Sequence, residues 1–191
     1  MVLPIYLYGH PVIRKVSEPV TPDYPDLAKL IQDMKDTMYA SDGIGIAAPQ
    51  VGRNIRLIYI DVDVLKKDYL ELADVRLVLI NPELDIDEES PIVTREEGCL
   101  SLPGIHENVK RHSRLRVKYL DEQWQEHDET VDGYLARVIQ HEYDHLDGHV
   151  FIDHVAPIRK QLIRKKLANI VAGKVTCDYR VKAASPSKKH H

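Results

Sequence analysis

Apolar residues recur every three or four positions in three stretches of the chain, which is the spacing of an amphipathic helix. The first helix is predicted over residues 26–39, with Asp26 as its N-cap. The second is predicted over 132–146 and the third over 157–172, and a glycine soon after each of these two ends it. The apolar stripe of the third helix is predicted to contain Ile158, Leu162, Ile163, Leu167 and Ile170.

Short runs rich in β-branched or alternating apolar residues predict strands between the helices. These runs cover residues 56–62, 77–80, 92–95 and 115–120. Residues 64–75 are charged and predict an exposed loop or a short helical excursion. Because strands and helices do not alternate regularly, the expected fold is α+β. We expect antiparallel or mixed sheets packed around the second helix, with an N-terminal helix before it and a C-terminal helix after it.

The composition is that of a globular protein, with 43% hydrophobic and 29% charged residues among 191. A length of 191 residues favours one domain. We therefore predict a single domain over residues 1–172 and a flexible, polar tail over residues 173–191. The net charge of −4 gives no general electrostatic attraction to DNA, so no DNA partner is expected.

The sequence also lacks the signals of an exported or membrane-bound protein. No apolar run approaches the ~18–20 residues that a membrane span needs, and the N-terminus has no signal-peptide pattern. Two cysteines cannot form a disulfide framework, which favours a reducing compartment. We expect a cytoplasmic monomer with no membrane partner.

The second helix carries the strongest chemical signal, the sequence His141-Glu142-Tyr143-Asp144-His145. Residues four apart on a helix share a face, so both imidazoles can reach one metal ion. Glu142 lies beside them, where it can act on water without being a ligand. A chance pattern on an exposed helix is the alternative. The apolar residues directly before His141 favour the metal site, because they turn this part of the helix toward a core.

A catalytic site of this kind needs a third protein ligand and an open position. Cys99 is the candidate, because it lies among turn-forming residues in the stretch 96–104. The alternative for a lone cysteine is a small buried hydrophobe. That alternative is the interpretation that we keep for Cys177.

Three motifs follow one another along the chain. They are Gly43-Ile44-Gly45-Ile46-Ala47-Ala48-Pro49-Gln50, Glu97-Gly98-Cys99-Leu100-Ser101 and His141-Glu142-Tyr143-Asp144-His145. The first alone is as consistent with an ordinary glycine-containing loop. Together, and in this order, they are highly specific, and the chain resembles the peptide deformylase family over about residues 1–172.

The resemblance implies a metal centre with named ligands. Cys99, His141 and His145 would hold one Fe²⁺ ion, with water or hydroxide as the fourth ligand, and Zn²⁺, Ni²⁺ or Co²⁺ can substitute. Glu142 would act as general base and then as general acid. The working form is expected to be the iron form, because Fe²⁺ accepts a fifth ligand more readily than Zn²⁺ does.

The resemblance also implies the reaction and its substrate. Gln50 and the backbone N–H of Leu100 would stabilise the oxyanion, and Gly43 and Gly45 would let a substrate backbone approach closely. The reaction would be hydrolysis of the N-formyl group from the initiator methionine of formyl-methionyl nascent peptides, with release of formate.

The methionine side chain needs an apolar pocket beside the metal-binding turn. The candidate substrate-binding residues are Gly43, Ile44, Gly98, Tyr134, Val138 and the stem of Arg137. Arg137 stands where an apolar residue is common in the family, and we expect it to line the pocket mouth or to point to solvent.

Two further positions depart from the common pattern or extend it. Ile105-His106-Glu107 stands where many bacterial members carry an arginine shortly after the cysteine motif. Asp144 is expected either to pair with Arg111 and steady the helix or to be solvated.

Two other classes of function stay open from the residues alone. A zinc endopeptidase would also use two histidines and a glutamate, although its third ligand is normally histidine or glutamate rather than cysteine. A structural metal site would normally be closed by four protein ligands, and a fourth is missing here. The metal-dependent hydrolase of formyl groups is the favoured interpretation.

The third helix is basic in an acidic chain. Its positive residues are Arg159, Lys160, Arg164, Lys165 and Lys166. A solvated helix face is the ordinary interpretation of such a run. The family resemblance offers docking on the ribosome as the alternative.

Overall fold

Nine strands and three α-helices make up residues 1–184, which the computed structural model describes. In chain order they are β1 (Ile5–Tyr6), α1 (Leu27–Ala40), β2 (Gly45–Ala47), β3 (Leu57–Asp61), β4 (Arg76–Ile86), β5 (Ile92–Gly98), β6 (His106–His112), β7 (Arg114–Leu120), β8 (Glu126–Asp132), α2 (Gly133–Leu146), α3 (Pro157–Val171) and β9 (Val181–Lys182).

The main sheet has five antiparallel strands in the order β2-β3-β4-β7-β8. The strands β5 and β6 form a separate antiparallel hairpin, and β1 pairs in parallel with β9. This mixture of antiparallel sheets and three helices agrees with the predicted α+β class. The four predicted strands are present as β3, β4, β5 and β7.

Strand β4 is longer than the prediction over 77–80 because the chain continues through an irregularity. Its register against β7 shifts between Ile80 and Glu83. Asn81 has a left-handed φ of 50° there, and its side chain binds both backbone groups of Val20 at 2.7 and 2.8 Å. The dipeptide Asn81-Pro82 predicts the end of a strand, whereas in the structure it forms a bulge inside β4.

Strand β8, which the pattern did not predict, has few apolar residues of its own. The sequence of β8 is Glu-His-Asp-Glu-Thr-Val-Asp, and of these seven side chains only that of Val131 is buried. It lies at the edge of the sheet and pairs with β7, where Arg116 binds Asp128 at 2.6 Å. Charged residues suit an edge strand, because they discourage pairing with another chain.

All three predicted helices are present within one or two residues of their predicted ends. Two details were wrong. Asp26 precedes α1 with a left-handed φ of 55° and makes no capping hydrogen bond with its side chain. In the stripe of α3, Ile163 and Ile170 are buried, whereas Ile158 and Leu162 are each 66% exposed. Two of the five apolar positions therefore lie outside the face that packs on the core.

Helix α2 is buried along most of its length. Ala136, Val138, Ile139 and Leu146 pack into the cluster formed by the inner face of the main sheet. The helix also buries polar residues: Arg137, Gln140, Glu142 and His145. Because buried polar groups are costly unless they find partners, this turn of the helix needs a dedicated polar environment.

The chain after α3 returns to β1, where Ile5 N donates to Arg180 O at 2.8 Å and Leu7 N donates to Lys182 O at 2.9 Å. Tyr179 packs against the cluster beneath α1. Pairing with a distant strand leaves no periodic signal in a polar segment, so the sequence pattern alone does not reveal β9. The rest of the predicted tail, residues 185–191, lies outside the described residues.

Among residues 1–184, no helix combines the length and the apolar character that crossing a membrane would require.

Gly148 ends α2 under a steric constraint that a substitution can test. It has a φ of +74°, and a Cβ there would lie 2.6 Å from the carbonyl oxygen of Arg14. Gly104 has nearly the same φ, +73°, with nothing within 4 Å. In both alanine variants the free energy of unfolding should fall by ~1–2 kcal/mol, because a residue with a Cβ is strained in the left-handed conformation. In Gly148→Ala it should fall by a further ~1–3 kcal/mol, because the new Cβ overpacks the site. Urea unfolding measures both, and equal losses would contradict this account of the turn.

Candidate metal centre

Three side chains converge between the β5–β6 hairpin and α2. Cys99 directly follows β5, and His141 and His145 lie one turn apart on α2. One ligand atom from each of the three lies within 4.8 Å of the others. The Cys99 Sγ and the His145 Nε2 are 3.3 Å apart. The predicted ligand set is therefore brought together, by contacts 46 residues apart in sequence.

The chemistry of these donors fits a divalent metal ion. The Nδ1 of His141 is bound to Glu97 at 2.9 Å, which leaves its Nε2 free to act as a ligand. Burial opposes ionisation of the Cys99 thiol, but the nearby charge of His145 and a hydrogen bond with His141 lower its pKa to about 5. Thiolate and imidazole are the donors that zinc and ferrous sites use.

Glu97 organises the support behind this ligand set. Its side chain is buried and accepts from Arg111 Nε at 2.7 Å, from Arg137 Nη1 at 2.6 Å and from His141. Burial works against its charged form, but the hydrogen bonds from His141 and Arg111 hold the pKa of Glu97 well below its usual range. The sequence interpretation used Glu97 as part of a motif and missed this role. Its position two residues before Cys99 was the only signal.

The guanidinium of Arg137 is buried between α2 and the β5–β6 hairpin. Only 5% of its surface is exposed, and its guanidinium donates to Glu97, to Val93 O at 2.5 Å and to Val109 O at 3.1 Å. It neither points to solvent nor presents its charge at the pocket mouth. A buried guanidinium needs acceptors on all sides, and the β5–β6 hairpin supplies them.

Asp144 has the predicted partner. Arg111 Nη2 lies 3.0 Å from its Oδ2, and His154 Nε2 lies 2.9 Å from the same atom. Since Arg111 also binds Glu97, the two carboxylates and the two buried arginines form one continuous ionic cluster. The cluster joins α2 to the hairpin directly behind the ligands.

Glu142 faces the ligands with an unpaired oxygen. The residue is 5% exposed, and its Oε2 has no hydrogen-bond partner within residues 1–184. Burial raises its pKa to about 7, although the two neighbouring histidines oppose that shift. A Cβ at Gly45 would lie 2.5 Å from Glu142 Oε1. The glycine therefore makes room for this carboxylate, and it also lines the cavity beside it.

Gln50 and Leu100 lie on two sides of Cys99. Gln50 belongs to the short 3₁₀ turn Ala48–Val51, and its Nε2 lies 3.4 Å from Cys99 Sγ and 3.3 Å from Ser101 Oγ. Its Oε1 accepts from Ala47 N at 2.9 Å, which fixes the amide orientation. Among the described residues, the N–H of Leu100 makes no hydrogen bond. The N–H of Leu100 is therefore a free donor beside the ligand set among the described residues, whereas the Nε2 of Gln50 donates to Cys99 and Ser101.

A cavity of about 540 Å³ opens onto these groups. All six predicted substrate-binding residues line it: Gly43, Ile44, Gly98, Tyr134, Arg137 and Val138. His106 and the segment from Thr176 to Tyr179 line it as well, and sequence reasoning missed the latter. Cys177 is half-buried in that segment and is not part of the three-residue ligand group.

Two imidazoles on one helix, a cysteine from an adjoining turn and a buried glutamate at an accessible cavity define the class of metal-dependent hydrolases. The sequence pattern described as Polypeptide deformylase matches residues 2–161. The chain belongs to this family, whose members hydrolyse the N-formyl group of nascent peptides.

Relatives align along nearly the whole chain. The peptide deformylase of Christiangramia forsetii is 44% identical over 98% of this chain and 99% of its own length. That of Cytophaga hutchinsonii is 43% identical over 95% and 97%. The crystal structure of a peptide deformylase from Legionella pneumophila superposes with a TM-score of 0.78 at 35% identity, over 91% of this chain and 98% of that one. The structure from Thermotoga maritima gives 0.72 at 40% identity, over 82% and 99%.

The role of Glu97 predicts a large effect from a small substitution. Glu97→Gln removes the charge that Arg111 and Arg137 share, and a buried pair broken in this way costs ~3–5 kcal/mol. Loss of the carboxylate behind His141 should also weaken metal binding by about 10–100-fold. Urea unfolding and metal titration against a competing chelator measure the two effects.

The neighbouring Glu96 is exposed and provides the matched control. Glu96→Gln should change the free energy of unfolding by no more than ~0.5 kcal/mol. If Glu97→Gln unfolds and binds metal as this control does, the cluster does not support the ligands.

Proposed function

We propose that this chain removes the formyl group from formyl-methionyl nascent peptides through a single metal ion held by Cys99, His141 and His145. The observation that carries this proposal is the unpaired Oε2 of Glu142, buried in the same cavity as the three donors. A buried carboxylate without a partner is costly, and a water molecule held beside a metal ion is a partner that such a group can use.

Fe²⁺ is the ion that we propose for the working enzyme, with Zn²⁺, Ni²⁺ or Co²⁺ as substitutes. When bound, the ion supplies Lewis acidity toward the formyl carbonyl and toward the attacking water. The charged cluster behind His141 fixes the ring so that its Nε2 faces Cys99 and His145. We propose that the catalytic domain is organised around α2, because this helix carries both histidine ligands.

Glu142 is the proposed general base and acid. Its raised pKa of about 7 suits a group that takes a proton from water and later returns it to the leaving nitrogen at neutral pH. Gly45 is the proposed companion in this role, since only a residue without a Cβ leaves space for the carboxylate.

Gln50 Nε2 and the N–H of Leu100 are the proposed oxyanion donors. Attack on the formyl carbon places negative charge on its oxygen, and each well-placed donor is worth ~3–4 kcal/mol in the transition state. The short turn holds Gln50, while the backbone after Cys99 holds the Leu100 N–H. As charge develops, the Gln50 amide would exchange its contact with Cys99 Sγ or Ser101 Oγ for one with the oxyanion.

The methionine side chain is proposed to occupy the apolar part of the cavity beside Ile44, Tyr134 and Val138. Gly43 and Gly98 form the adjoining backbone walls. Arg137 contributes its stem only, since its guanidinium is bound to Glu97.

Formate release from formyl-Met-Ala-Ser tests the function directly. The anaerobically prepared enzyme should release formate, a chelator should abolish the release, and casein should remain intact. A formyl-Ala peptide should react with a kcat/KM about 30-fold lower, the equivalent of ~2 kcal/mol of apolar burial. Casein cleavage without formate release would instead support an endopeptidase.

Substitution of the proposed base should lower turnover without lowering the metal content. Glu142→Gln keeps the shape of the side chain and removes no ligand, so the metal content should stay at the parental value. Turnover should fall by at least ~10²-fold, because a glutamine cannot carry the proton. Tyr143→Phe, at the next position along α2, serves as the control. Turnover of Glu142→Gln within a few-fold of that control would remove Glu142 from the mechanism.

The identity of the metal should show in rate and in stability toward air. Apoprotein loaded with Fe²⁺ should release formate faster than the zinc form and should lose activity in air, since both the ion and the thiolate oxidise. The zinc form should be slower and stable. Cys99→Ser should lose most of its metal affinity, because a neutral hydroxyl replaces an anionic sulfur. Equal rates for the two metals, or full metal content in Cys99→Ser, would contradict this assignment.

The proposal also places the enzyme in the cytoplasm as a monomer, without DNA or membrane partners, where nascent chains emerge. We propose that its domain extends beyond residue 172 to the end of β9.

Helix α3 is proposed to dock on the ribosome. Arg159 is bound to Glu107 at 2.9 Å and Lys160 to Asp153 O at 3.1 Å, whereas Arg164 and Lys165 are exposed. Charge reversal at Arg164 and Lys165 should weaken co-sedimentation with ribosomes in a salt-dependent way and spare activity on short peptides. Unchanged co-sedimentation at low salt would leave these residues as a solvated face.

A further inference from the structure

Three backbone carbonyl groups hold the turn that carries Cys99 and the Leu100 N–H, and each accepts one hydrogen bond. Cys99 O accepts from Leu102 N at 2.9 Å, and Ser101 O accepts from Tyr8 N at 2.8 Å. Leu100 O accepts from the hydroxyl of Tyr179 at 2.8 Å. Two of the three bonds are made by the backbone, and the middle one depends on a single side chain.

Tyr179 reaches this turn from the far end of the chain. It precedes β9, whose pairing with β1 brings the segment back to the cavity, and it lines the cavity itself. Its ring packs against the apolar cluster beneath α1. Burial raises the pKa of its phenol, so the group stays protonated and donates to the carbonyl.

The matched family pattern ends at residue 161, so Tyr179 lies outside it. Relatives that align over 95–98% of this chain extend into the same region. The contact therefore adds to the site a part that the three motifs do not contain.

We propose that Tyr179 is a positioning residue for the reaction: its hydroxyl fixes the Leu100–Ser101 peptide and thereby aims the N–H of Leu100 at the oxyanion. This inference rests on the proposed function, in which that N–H is a donor.

The geometry explains how the effect is transmitted. The peptide group before Leu100 is held through Cys99 O, and the one after it is held through Leu100 O. With both held, the φ and ψ angles of Leu100 are fixed and its N–H keeps one direction. Without the hydroxyl, the second peptide can rotate, and displacements of about 1 Å at such a donor cost up to ~10²-fold in rate.

Tyr179→Phe tests the positioning role, because it removes only the hydroxyl and keeps the ring in the cluster. We expect kcat on formyl-Met-Ala-Ser to fall about tenfold with KM within twofold, at unchanged metal content. Tyr6→Phe is the matched control: the Tyr6 hydroxyl accepts from Lys182 Nζ at 3.2 Å on the same small sheet, outside the cavity lining. Its kcat should stay within twofold of the parental value.

A second measurement is independent of turnover. In the zinc-loaded protein, the amide nitrogen resonance of Ser101 should shift in Tyr179→Phe, because the carbonyl bonded to that nitrogen loses its donor. The hydrogen exchange of the Leu102 amide, which donates to Cys99 O in the same turn, should also quicken. Tyr6→Phe should change neither signal.

Parental kcat in Tyr179→Phe, with or without a change in thermal stability, would overturn the positioning role, as would unchanged Leu102 and Ser101 signals. Absence of formate release from the parental enzyme would overturn the proposed function instead. The resonance measurement then still reports whether Tyr179 holds the turn.

Discussion

The site depends on the hydrogen bonds and ion pairs that the buried carboxylate of Glu97 makes. It joins β5 to Arg111 of β6 and to Arg137 and His141 of α2, all of them nearly removed from water. A buried carboxylate is stable only when it is paired and hydrogen-bonded, and this one has both kinds of partner. The same bonds that neutralise it join the hairpin to the helix, so the ligands on the two elements face one another.

Some polar side chains of α2 have all their hydrogen-bond partners within the fold, whereas Glu142 keeps an oxygen without a partner among the described residues. Arg137 and Asp144 find full partners in the hairpin and its surroundings. Glu142 keeps an unpaired oxygen at the cavity, and its pKa stays near neutrality. Perturbed titration beside a cluster of donors is characteristic of catalytic sites.

Local spacing explains what could be predicted from the sequence and what could not. The ligands His141 and His145 and the three helices follow from periodicity, which a single stretch of chain displays. Cys99 was a candidate from the turn-forming residues around it, but a lone cysteine is also consistent with a small buried hydrophobe, and the family resemblance favoured the ligand. Three other features arise from contacts between segments that are distant in sequence: the edge strand β8, the hydrogen bonds of Arg137 and the contact of Tyr179 with the turn after Cys99. Such contacts leave no local pattern in either of the segments that make them.

X-ray absorption at the iron edge tests the central claim most directly, namely that Cys99, His141 and His145 present one thiolate and two imidazoles to a metal ion. The anaerobically loaded Fe²⁺ protein should show one sulfur scatterer and two imidazole rings, and the sulfur should disappear in Cys99→Ser while Cys177 is still present. A coordination shell without sulfur in the parental protein, or one that keeps its sulfur in Cys99→Ser, would contradict the account.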